Sequence, residues 1–70
     1  TIVGTSNCSE RPKTPDEILN RALQKEIQAR DFYDALAVNC SVDFVKDLLI
    51  RLKNEEAKHV RMIQNMLAKL

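Results

Sequence analysis

Three side chains in this 70-residue chain have the types and spacing to bind a metal: Glu26, and the pair Glu56 and His59 within the stretch NEEAKHV. A carboxylate and an imidazole three residues apart share one face of a helix. Here that face is otherwise apolar. Val45, Leu49, Leu52, Glu56, His59, Ile63, Met66 and Leu70 advance in alternating steps of four and three, the rhythm of a heptad seam. An earlier stretch repeats it in Leu19, Ala22, Glu26, Ala29, Tyr33, Leu36 and Cys40. Each seam is interrupted by ionisable groups on the side it has to bury. A buried carboxylate is costly alone, and two close together repel. They can be protonated, paired with a cation, or bound to a metal. Lys25, Arg30, Lys53 and Lys58 fall beside the seams rather than on them. A metal is then the partner that satisfies all three groups together.

The elements that must position these residues are legible from their ends. In TPDE, residues 14 to 17, Thr14 is a good N-cap, Pro15 suits the first helical position and Glu17 completes a capping box. The spacing predicts a helix from Pro15 to about Asn39. The stretch Asn39-Cys40-Ser41 breaks it, and Ser41 is the expected N-cap of a second helix, about 42–69, with Asp43 in its first turn. No Gly or Pro interrupts that second stretch. So short a connection makes the two helices antiparallel neighbours. If the bend centres on Ser41, residues whose numbers sum to about 82 lie level across the pair, and Glu26 and Glu56 meet that sum. No alternating run or Asn-Gly turn signals a strand. The fold class expected is all-α: a hairpin over 14–70, preceded by a polar, aperiodic tail over 1–13.

Composition bounds the rest. With 44% hydrophobic and 30% charged residues, the chain has the make-up of a folded helical protein, and a net charge of +1 gives no electrostatic footprint for nucleic acid or an anionic membrane. Arg51, Lys53, Lys58 and Arg61 read as a solvated basic face, since no aromatic residues accompany them. No apolar run is long enough to span a bilayer and no signal-peptide pattern opens the chain, so the expected location is cytoplasmic. Cys8 and Cys40 form no Cys-x-x-Cys pair, which excludes a four-cysteine knuckle; they read as a free thiol in the tail and an apolar filler at a helix end.

A chain this short builds a marginal core alone. One hairpin also leaves a divalent ion short of ligands and one side of each helix uncovered. Two hairpins related by a two-fold axis as a four-helix bundle remove both deficits. The pair then offers four carboxylates, whose charge balances two divalent cations, and two imidazoles. An oxygen-rich set with one His per metal suits iron or manganese better than a structural zinc site.

A Glu on one helix followed by Glu-x-x-His on the next resembles the half-site of ferritin-like di-iron carboxylate proteins. EIQARDFYDALA, from Glu26, looks like the first ligand helix of rubrerythrins, and LKNEEAKH, ending at His59, looks like their second. The single hairpin is similar to the encapsulated ferritins, from which Lys25 and Gln28 depart at positions that are often acidic there. The resemblance implies a homodimer at minimum, extending to a decameric ring, with two irons per dimer interface and manganese or zinc as substitutes. It implies Glu56 as the bridging ligand, Glu26 and His59 as terminal ligands, and oxidation of Fe(II) to Fe(III) with oxygen. That ferroxidase activity would serve iron storage or detoxification, inside an encapsulin shell if one is present. The alternatives are a rubrerythrin-like peroxide-reducing protein and a non-enzymatic, metal-stabilised helical module. Tyr33, seven residues after Glu26, reads either as an amphipathic core residue or as a hydrogen-bond donor to a ligand carboxylate on the partner subunit. Phe32, Met62 and Met66 read as packing, and Glu55 as a surface charge.

Overall fold

Thr14 opens the first helix through a reciprocal cap. The Glu17 N–H donates to the Thr14 hydroxyl oxygen at 3.3 Å, and the Thr14 N–H donates to the Glu17 carboxylate at 3.0 Å. Pro15 follows at the first helical position, where a missing N–H costs nothing, and Asp16 and Glu17 place negative charge at the positive end of the dipole. The computed structural model describes residues 14–70. The expected tail over 1–13, with Cys8, lies outside them. Helix α1 runs Pro15–Asn39 and helix α2 runs Asp43–Ala68. The two pack against each other as an antiparallel hairpin, and among the described residues there is no strand.

The bend is made without glycine. Cys40 leaves the helix in an extended conformation (φ −87°, ψ 127°) and its N–H returns to the Ala37 carbonyl at 3.3 Å. Its thiol, half-buried and free, lies 3.5 Å from the Val42 carbonyl. The expectation that Ser41 caps α2 is corrected. Val42 holds the cap position (φ −96°, ψ 113°), and its carbonyl accepts the first bond of the helix from the Lys46 N–H at 2.9 Å. β-branched Val42 takes the extended backbone that a cap requires. It has no side-chain acceptor, so α2 begins without a side-chain cap. Replacing Val42, which is half exposed, with Ser supplies that acceptor. Val42→Ser should stabilise the fold by about 1 kcal/mol, read by urea unfolding at fixed protein concentration.

Ala37, Val60 and Ile63 are the buried apolar residues of the hairpin. They show that the helices are rotated from the expected seams. Ala37 and Val60 turn inward, while Leu36, Met66 and Leu70 remain exposed. Lys53 and Arg30, expected beside the seams, are half-buried instead. Long cationic side chains can cover apolar surface with their stems. Lys53 ties the helices together through Asp34 at 3.3 Å, and Arg30 pairs with Asp31 at 3.2 Å.

Candidate metal centre

The hairpin register places Glu26 of α1 level with Glu56 of α2, and one helical turn then brings His59 to the same point. The ring Nδ1 of His59 lies 3.3 Å from Glu26 Oε1 and 3.3 Å from Glu56 Oε1. One ligand atom from each of the three residues falls within 4.8 Å of the others. Adjacent ligands around an ion with bonds of about 2.1 Å sit about 3 Å apart, so this spacing fits a single first-row metal. The donors, two carboxylates and one imidazole, fit iron by their chemistry. All three are half-buried, with Glu56 the least exposed and His59 the most. Among the described residues no buried side-chain polar atom lacks a hydrogen-bond partner. The neighbouring cations do not neutralise the carboxylates, because Arg30 and Lys53 are engaged by Asp31 and Asp34. Glu55, one residue outside the cluster, pairs with Lys58 at 3.2 Å on the surface.

The three groups share protons. A hydrogen bond between the two carboxyls holds Glu26 below the ordinary carboxylate range against the opposing effect of burial, with His59 adding to the lowering. The same bond, with burial, pushes Glu56 up. Glu26 is also the main cause of a raised His59, with Glu56 adding to it. A raised imidazole means that the folded state favours the imidazolium. The stability it contributes is full below its ordinary value of 6.5 and is lost as pH rises through the higher folded value. Metal ligation needs the neutral ring, so metal and proton compete for His59. In the metal-free protein the His59 ring resonances should titrate above 6.5 in NMR, and saturating diamagnetic zinc should abolish the titration. A midpoint at or below 6.5 would contradict this geometry.

Tyr33 is half-buried and packs edge-on against Phe32, with centroids 5.6 Å apart at 61°. Seven residues of helix rise put it about 10.5 Å from Glu26 along α1. Its hydroxyl makes no hydrogen bond among the described residues, so the structure does not bring it to the Glu26–Glu56–His59 cluster of its own hairpin. Sequence reasoning missed the cationic pair one turn toward the bend, Arg30 and Lys53. Its signal was their sum, 83, which sets them level with each other just as Glu26 and Glu56 are level.

Among the described residues no helix is long and apolar enough to cross a membrane. Comparison with curated proteins and with solved structures found no match. The family model for rubrerythrin matches residues 17–70, which takes in both helices and all three clustered side chains. With a paired carboxylate and Glu-x-x-His on facing helices, the chain belongs to the rubrerythrin family of ferritin-like di-iron proteins.

Proposed function

We propose that this chain is one half of an Fe(II)-oxidising centre, with Glu26, Glu56 and His59 as its metal ligands and a second copy supplying the other half. The observation that carries the reading is the convergence of those three side chains, 3.3 Å from His59 Nδ1 to each carboxylate. The family supports iron and di-iron redox chemistry in general. Oxidation of iron as substrate is the specific version proposed here. Storage within an encapsulin shell rests on the resemblance to encapsulated ferritins alone.

When bound, two Fe(II) supply two electrons to dioxygen, which takes up two protons and leaves as hydrogen peroxide. The protein's part is to gather charge and exclude water. By the resemblance, Glu56 would bridge two ions, with Glu26 and His59 as terminal ligands. Two copies provide four carboxylates, neutralising two divalent ions in a site with few other counter-charges. His59 must be neutral to ligate, so an imidazolium has to lose a proton first. Val60 and Ile63 on one side and Ala37 on the other limit water along the helix pair. Tyr33, out of reach of its own Glu26, would donate its hydroxyl to a carboxylate of the second copy.

The test is oxygen uptake on adding Fe(II) to metal-free protein, at one O₂ per two irons by the stoichiometry above. The family match favours one rival specifically, reduction of peroxide. Iron-loaded, reduced protein given hydrogen peroxide without oxygen separates the two. Reoxidation faster by peroxide than by oxygen would assign the centre to peroxide reduction instead.

A further inference from the structure

We infer that Met62 is a modification site: its thioether takes an oxygen atom from peroxide at the Glu26–Glu56–His59 cluster and so spares His59. The source of the peroxide rests on the iron-oxidising reading above, or on its peroxide-reducing rival. The chain has two methionines, Met62 and Met66, which are 49% and 43% exposed. Neither belongs to the buried apolar core of Ala37, Val60 and Ile63. A thioether is a poor ligand for hard iron, but it accepts an oxygen atom readily.

The two methionines differ in their place on α2. Met62 follows His59 by three residues, and side chains so spaced lie about 5–6 Å apart at Cβ. A long helical side chain also leans toward the N-terminus of its helix, over the residues three and four before it. For Met62 those residues are His59 and Lys58. Lys58 is paired with Glu55 at 3.2 Å. His59 is the most exposed of the three clustered side chains, 44% against 30% for Glu26 and 21% for Glu56. The Met62 sulfur therefore belongs beside the ligand at which the cluster meets its surroundings. Met66 is placed over Met62 and Ile63 instead. By helical rise Met66 is about 10.5 Å beyond His59, and Met62 about 4.5 Å. Tyr33 and Cys40 are about 10.5 Å and about 21 Å from Glu26 along α1. Among the described residues, Met62 is thus the sulfur or phenol set nearest the cluster along the helices.

The step balances with peroxide as the one oxidant. A sulfur lone pair attacks one peroxide oxygen, and the S–O bond forms as the O–O bond breaks. The other oxygen leaves as water with both protons. The thioether loses two electrons and the peroxide gains them. The sulfoxide can be reduced back to the thioether, so a renewable group stands in front of a ligand the site cannot lose.

The test gives Fe(II) and oxygen to metal-free protein, with catalase present to remove peroxide that escapes, and maps oxidation by tandem mass spectrometry of peptides. Sulfoxide at Met62 should exceed that at Met66 at least fivefold. Metal-free protein treated with hydrogen peroxide in bulk should show no preference for Met62, because the two exposures are similar. Met62→Leu conserves side-chain size. It should take up oxygen at the wild-type initial rate but gain oxygen on His59 at least threefold faster. Equal sulfoxide at the two methionines after iron oxidation would overturn the inference. So would the same preference in the metal-free control, or His59 oxidised no faster in Met62→Leu. If the wild type takes up no oxygen, the iron-oxidising reading falls, and iron-loaded protein given hydrogen peroxide without oxygen decides the inference by itself. Preference for Met62 there supports it, and equal oxidation overturns it.

Discussion

Glu56→Ala should abolish iron oxidation while leaving the metal-free hairpin folded. Glu56 has its pKa raised by the neighbouring Glu26 and contacts His59 at 3.3 Å, so any ion held by the three must touch it. Losing a group that merely orients a ligand costs 10- to 100-fold in activity or affinity, so losing the ligand itself should exceed about a hundredfold. The fold, in contrast, has little reason to need it. Its raised pKa shows that the folded state disfavours its ionised form beside Glu26, and Ala is the better helix former. Far-UV circular dichroism of the metal-free variant should therefore match wild type or show a slightly higher midpoint. Oxidation retained within a few-fold, or a collapsed helix signal, would remove Glu56 from the role assigned to it.

Iron itself should stabilise the protein strongly. The buried apolar residues of the described hairpin are few, Ala37, Val60 and Ile63, so metal and partner make up a large share of its stability. A ligand at a thousand times its dissociation constant contributes about 4 kcal/mol. For a domain of this size that corresponds to a rise in Tm of more than about 15 °C. Fe(II) added without oxygen at fixed protein concentration should produce that rise, and Glu26→Ala should reduce it to a few degrees. The rise should shrink toward acid pH, since His59 must lose its proton to bind. A Tm insensitive to iron in the wild type would show that the clustered carboxylates are not a metal site.

The hairpin and the meeting of its three key residues were readable in the sequence for local reasons. Thr14, Pro15 and Glu17 specify a helix start through hydrogen bonds that need no tertiary context. A three-residue bend then fixes the register, and Glu26 opposite Glu56 follows by counting. The bend's capping residue was not readable, because Ser41 and Val42 are adjacent. Ser is favoured by its side chain, Val by its backbone, and the backbone decided. The facing surfaces were misjudged for a related reason. Each helix carries two overlapping stripes that share every second residue: 19, 26 and 33 on α1, 49, 56 and 63 on α2. One stripe continues through Leu36 and Met66, the other through Ala37 and Val60, and the apolar arc is wide enough for both. Periodicity cannot choose between stripes when a helix has apolar surface for more than one neighbour. The structure turns Ala37 and Val60 inward and leaves Leu36 and Met66 outside.

The central claim is that one hairpin holds half of a two-iron site. Titrating Fe(II) into metal-free protein in the absence of oxygen, and weighing the product by native mass spectrometry, tests it most directly. Saturation should come at two irons per pair of chains, with none bound in Glu56→Ala or His59→Ala. Iron bound one per isolated chain, or no stoichiometric iron in a correctly folded pair, would contradict it.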